Sequence, residues 1–109
     1  MPQALYRDAL DACYRCASAC DDCTAACLEE DNLTMLATCI RLDIQCAAVC
    51  RLLALYLHHD SQFIPALAKL CRSVCQSCAE ECAQHEHDHC QACADACQAC
   101  AQACEALPD

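Results

Sequence analysis

From Cys90 to Cys104 the chain reads CQACADACQACAQAC, with cysteine recurring at steps of 3, 4, 3 and 4. Side chains three and four apart share one face of an α-helix, so these five thiols fall on a single stripe. The same spacing links Cys13, Cys16, Cys20, Cys23 and Cys27, a 4-3-4 version links Cys71, Cys75, Cys78 and Cys82, and a thinner one holds Cys39, Cys46 and Cys50. With Cys90, Cys93, Cys97, Cys100 and Cys104, these stripes take up all 17 cysteines. Helical neighbours at such steps have Cβ atoms about 5–6 Å apart. Two metal–sulfur bonds of about 2.3 Å span about 4.6 Å in line. Two thiolates of one helix can therefore bridge a small metal ion, and neighbouring stripes can supply third ligands and merge adjacent sites into clusters.

Soft thiolates select Cu(I), zinc or iron–sulfur clusters, and charge separates these candidates. Buried anions without counter-ions neutralise themselves, so an empty core carries protonated thiols. Replacing each thiol proton by one Cu(I) leaves the core's charge unchanged at every stage of loading. Zn²⁺ held by four thiolates leaves excess negative charge at each site, and stacked sites of that kind repel one another. The usual iron–sulfur signatures, with cysteines clustered in loops, are absent. The expected cargo is Cu(I), many ions per chain; other soft metals, or cysteine acting only as a small hydrophobe, are the alternatives.

Several residues beside the stripes bear on this chemistry. Asp43 lies four after Cys39 and three before Cys46, where the heptad would place another thiol. It is read as a hydrogen-bond acceptor for neighbouring thiols, ahead of a gap in the lining or an occasional ligand, since Cu(I) prefers sulfur. Met35, four before Cys39, extends the same stripe either as a thioether ligand or as ordinary core. His85, His87 and His89 crowd the connection between Cys82 and Cys90 and are candidate metal ligands. His58 and His59 lack such neighbours and read as helix-end residues. No Ser-His-Asp arrangement, phosphate loop or carboxylate pair is evident, and the thiols are repeated alike rather than one being singled out, so no enzyme is expected.

The elements that must position these thiols are helices. The 109 residues fit one domain, have no Gly and three Pro, and are rich in helix formers. Helix 1 is expected from about residue 3, with Pro2 near its start, to 29, where EEDN at Glu29–Asn32 supplies a break and a cap. Helix 2 is expected over Leu33–His59, helix 3 from a Ser61 cap through Pro65 to about Gln84, and helix 4 over Asp88–Leu107, stopped by Pro108. Short connections make consecutive helices antiparallel, giving an all-α, up-down-up-down four-helix bundle with a cysteine-lined core. The thiol tube beside helix 1 would run about 21 Å from Cys13 to Cys27.

Helix 2 carries a further apolar row of Leu42, Val49 and Tyr56, backed by Leu36, Ile40, Leu52 and Leu53, which either forms a subunit contact or thickens the core. One end of the bundle gathers Met35, His85, His87, His89, Glu81 and Asp31. The other runs out into Tyr6, Ala9, Leu53, Leu57, Ile64, Leu67 and Leu107, an expected apolar plug. Copper is expected to pass through the histidine end.

With 6 Lys+Arg against 16 Asp+Glu, the formal charge of −10 argues against nucleic acid as a partner. The apolar run Cys46–Leu57 is too short to cross a bilayer, so no membrane span is expected. The opening MPQALYRDALDAC has neither a basic n-region nor an apolar h-region, and free thiols in this number point to the reducing cytosol.

The CxxCxxxCxxCxxxC runs at Cys13–Cys27 and Cys90–Cys104, CIRLDIQCAAVC in helix 2 and the HEHDHCQAC junction together resemble the bacterial copper storage proteins, over nearly the whole chain. The resemblance implies a cysteine-lined bundle storing or sequestering Cu(I), cytosolic where no export signal precedes it, and commonly a homotetramer. A copper chaperone or sensor needs one or two exposed sites, not 17 interior thiols; a zinc or redox buffer is the remaining rival.

Overall fold

The computed structural model describes residues 3–109, with the backbone alone for Gln3 and Leu5. The expected role of Pro2 lies outside the described residues. Four helices account for most of the chain: α1 Gln3–Cys27, α2 Leu33–His58, α3 Ile64–Ala83 and α4 Asp88–Glu105. Each packs against the helices before and after it in a closed ring, α1 against α4 included. The result is a rod of 47 × 17 × 17 Å, the predicted antiparallel bundle.

The inward seams keep the heptad rhythm. On α2 the buried positions Leu36, Cys39, Asp43, Cys46, Cys50, Leu53 and Leu57 alternate by three and four, and on α3 Ile64, Ala68, Cys71, Cys75, Cys78 and Cys82 do the same. Small residues fill the flanks of the seams, among them Ala17, Ala47, Ala54, Ala94 and Ala101, so the helices approach closely around a core of thiols.

The helix ends differ from the sequence reading in instructive ways. α1 stops at Cys27, two residues early, and its closing turn uses backbone bonds from Glu29 to Ala26 and from Glu30 to Cys27. Asn32 occupies the N-cap position of α2 but its side chain caps nothing; its Nδ2 donates to Met35 Sδ instead. α2 ends at His58, closed by a Schellman pair in which Ser61 N–H donates to Tyr56 O and Asp60 N–H to Leu57 O. That geometry needs a left-handed residue, and in a chain without glycine Asp60 supplies it, with φ 47°. Tyr6 OH donates to Asp60 Oδ1 and ties α1 to the same corner.

Ser61 does not cap α3. Pro65 has no N–H to donate to the Ser61 carbonyl, so a helix starting there would lack its first bond. α3 begins at Ile64 with Pro65 in its first turn, and Ser61 Oγ accepts from Phe63 N–H in the preceding turn. At the other terminus α4 ends at Glu105, short of the expected Leu107, which is still buried.

The apolar end is a plug, as expected. Ala9, Leu53, Leu57, Ile64 and Leu107 are buried, while Tyr6 and Leu67 pack half-buried around them because the α3 seam steps from Ile64 to Ala68. On α2, Val49 is buried and Leu42, Ile40 and Tyr56 are half-buried against the core, whereas Leu52, Ile44 and Leu55 are exposed. The apolar residues therefore run around more than one face. Taken whole, α2 is long and apolar enough to cross a membrane, with mean hydropathy 1.5 over its best 18-residue window, a correction to the shorter run read from sequence. In the bundle its seam is covered by α1 and α3.

Leu53 is fully buried and Leu52 beside it is exposed. Leu53→Ala is expected to lower the stability of the copper-free protein by about 2–5 kcal/mol, and Leu52→Ala by less than about 1 kcal/mol. Urea unfolding followed by circular dichroism checks both.

Candidate metal centre

All 17 cysteines are free and buried. Their sulfurs stand in neighbouring groups along the bundle axis. Cys39 lies 3.3 Å from Cys82, Cys93 3.9 Å from Cys97, Cys97 3.8 Å from Cys46, Cys46 3.6 Å from Cys75, Cys75 3.8 Å from Cys50, and Cys50 3.8 Å from Cys100. Cys100 in turn lies 4.0 Å from Cys13. Thiols within 4.8 Å of one another form overlapping sets of four, including Cys23, Cys27, Cys39 and Cys90 near one end; Cys20, Cys78, Cys93 and Cys97 in the middle; and Cys50, Cys71, Cys75 and Cys100 deeper still. Three sulfurs around an ion with bonds of about 2.3 Å sit about 4.0 Å apart, and two in line about 4.6 Å. The sulfur separations match the first arrangement and need little movement for the second.

Burial pushes the Cys27 and Cys90 thiols up, loss of hydration being the largest cause at both. Among the described residues the only buried polar or charged side chain is Asp43, fully enclosed. Its Oδ1 accepts from Cys78 at 3.2 Å, Cys82 at 3.4 Å and Cys93 at 3.2 Å, and its Oδ2 from Cys39 at 3.9 Å. The carboxyl is the acceptor that its heptad position suggested. Burial raises it to about 8.

The three histidines part company. Gln91 Nε2 donates to the Ala83 and His85 carbonyls, fixing the α3–α4 turn that carries them. His89 turns inward: its Nδ1 lies 3.7 Å from Cys23, 3.8 Å from Cys27 and 3.5 Å from Cys90. Its Nε2 faces outward to Glu30 Oε2 at 3.0 Å, and this hydrogen bond is the main cause of a lowered Glu30 carboxyl. His87 is more exposed, stacked on His89 with ring centroids 5.1 Å apart, and its Nδ1 is 3.4 Å from the same Glu30 oxygen. His85 pairs with Glu81 at 2.8 Å. Only His89 reaches the thiols.

Met35 is not in the seam. It is 67% exposed, because Leu36, three before Cys39, takes the inward position; Met35 instead lines an open cleft at this mouth with Glu30, Asp31, His85 and His87. Glu30 was missed as a functional residue. It sits in the EEDN break, where the sequence reads as a helix stop, and only the fold brings it to histidines almost sixty positions away. His58 is a helix-end residue as read, its Nε2 3.0 Å from Tyr14 OH.

A bundle of free, buried thiols at these separations is built for soft metal ions in number, and known proteins of similar sequence and fold agree. The copper storage protein family model matches residues 2–109. The "Uncharacterized cysteine-rich protein YhjQ" of Bacillus subtilis is 44% identical over 85 residues, 78% of this chain and 79% of that protein. Among solved structures, Cu(I)-bound copper storage protein BsCsp3 is 42% identical, covering 93% of this chain and 95% of that one, with a TM-score of 0.89. A cytosolic copper storage protein from Streptomyces lividans, described with five coppers, is 39% identical over 94% of this chain and 90% of that one, with a TM-score of 0.91. The chain belongs to the copper storage protein family. By its family it is a copper store rather than an enzyme, and the thiols of its core form the overlapping sets that could hold metal ions.

Asp43 gives this centre a pH signature. A carboxyl raised to about 8 in the fold, from an ordinary value near 4, favours folding fully only below about pH 4, and that contribution is lost as the pH climbs through about 8. The copper-free wild type is therefore expected to lose more stability than Asp43→Asn between about pH 5 and pH 8, measured by urea midpoints at each pH.

Proposed function

We propose that all 17 cysteines serve as Cu(I) ligands, that the tube fills from the histidine end, and that the protein stores or sequesters copper in the cytosol. The observation that carries this reading is the asymmetry of the two ends. One is closed by Leu53, Leu57, Ile64 and Leu107, and the other presents an imidazole nitrogen to three thiols behind an acidic rim. An incoming ion first meets the rim carboxylates, which attract cations. It is then taken by His89 Nδ1 with Cys23, Cys27 and Cys90, and passed inward by exchange between neighbouring sulfurs, Cys39 first. His85 and His87 act from the rim and Met35 as a mouth thioether. Asp43 accepts hydrogen bonds from four thiols and leaves ligation to sulfur.

A cytosolic setting suits a store that depends on free thiols. The likeness to a Streptomyces protein described as cytosolic supports it. The bundle further associates with copies of itself, as a homotetramer by family resemblance. The apolar strip of Ile44, Leu52 and Leu55 on α2, exposed in the single chain, is the surface suited to that contact.

Anaerobic titration with Cu(I) against a chelator, with Zn²⁺ in competition, tests the store. More than about ten Cu(I) per chain are expected with almost no change in helical circular dichroism; saturation at four or fewer ions would sink the proposal. Replacing His85, His87 and His89 together by Ala is expected to slow loading and removal by about tenfold or more while leaving final capacity nearly intact. Stopped-flow uptake checks the rate, and uptake as fast as wild type would place the route elsewhere.

A further inference from the structure

His89 has two faces, and the outer one is not used by the thiol tube. Glu30 Oε2 lies 3.0 Å from His89 Nε2 and 3.4 Å from His87 Nδ1, so one carboxylate oxygen is shared by two imidazole nitrogens. The two rings are stacked 6° from parallel, each presenting a nitrogen to that oxygen. Donors bonded to one divalent ion at about 2.1 Å stand about 3.0 Å apart in octahedral and about 3.4 Å apart in tetrahedral geometry. Both separations fall in that interval. Two imidazoles and a carboxylate are borderline-to-hard donors that suit Zn²⁺, Co²⁺ or Ni²⁺. We infer that Glu30, His87 and His89 form a second metal site, at the rim of the mouth, for a borderline first-row divalent cation, and that its occupancy competes with Cu(I) uptake.

The competition follows from the imidazole ring. A neutral histidine has one lone pair and one N–H, so a metal on Nε2 leaves the proton on Nδ1. Nδ1 then points an N–H at Cys23, Cys27 and Cys90 and has no lone pair for copper. Conversely, Cu(I) on Nδ1 leaves the proton on Nε2, where it bonds to Glu30 and excludes the divalent ion. The two ions are linked through a single ring, and each weakens the other by the same factor. The divalent site thus acts as a brake on the mouth. This competition rests on the reading that His89 Nδ1 receives incoming Cu(I); the rim site does not.

The test adds Co²⁺ to the copper-free protein under anaerobic conditions. The first equivalent is expected to give the weak visible bands of a nitrogen–oxygen site without thiolate-to-cobalt charge transfer. Its affinity is expected to fall at least tenfold in Glu30→Gln and in His87→Ala, with helical circular dichroism unchanged. Saturating Co²⁺ is expected to slow the initial Cu(I) uptake of the wild type severalfold and to leave that of His87→Ala unaffected. Thiolate bands at the first equivalent, or affinity indifferent to both substitutions, overturns the rim site. Cobalt bound at the rim with unchanged Cu(I) uptake overturns the competition. His89→Ala then locates the fault: wild-type uptake in that variant puts it in the reading of His89 as copper receiver, and slowed uptake puts it in the shared-ring argument.

Discussion

The structure depends on burying seventeen thiols in a space that offers them no counter-charge. A thiolate in that interior has no cation to face and little water, so the empty core is held neutral by its protons. Neutral thiols behave as small hydrophobes that also donate and accept weak hydrogen bonds, and a bundle can close around them. The same condition selects the cargo. A singly charged soft cation that replaces a proton at sulfur leaves the electrostatics of the rod as they were, and the backbone has no reason to move.

Other features follow from that constraint. A core of cysteine has little bulk, so the flanking positions are alanine and the helices come close enough to form a rod 17 Å across. Stability must then come from the ends and from α2. Leu53, Leu57, Ile64 and Leu107 close one end with aliphatic side chains, and the outer apolar residues of α2 thicken its flanks. The mouth cannot be closed in that way because ions must pass. It is ordered by polar contacts instead, with Gln91 on the Ala83 and His85 carbonyls and Glu30 on His87 and His89. Bound copper adds stability in turn, since the folded state alone presents these ligands together.

Much of this was legible in the sequence, because heptad spacing is local and the thiols carry it. The tube and the inward place of Asp43 follow from steps of three and four, the antiparallel order from the short connections, and the reading of Asp43 as a thiol acceptor from the preference of Cu(I) for sulfur. What was not legible depends on phase or on distant partners. Met35 and Leu36 are both one turn before Cys39, and only packing decides that Leu36 faces inward. The three histidines looked equivalent, yet one faces the thiols, one the solvent and one Glu81. Glu30 had no signal at all, since its partners are carried by α4 and the turn before it. The Ser61 cap failed for a reason readable in the sequence, the missing N–H of Pro65 four residues on.

Charge-neutral exchange is the central claim, and proton counting tests it most directly. Cu(I) is added stepwise as a chelate whose own ligand takes up no protons, in weakly buffered anaerobic solution, and the base needed to hold the pH is measured at each step. The account predicts about one proton released per Cu(I) from the first ion to the last, since each thiol enters the exchange protonated. Release well below one proton per ion across the titration would mean that the core is ionised before copper arrives, and would contradict it.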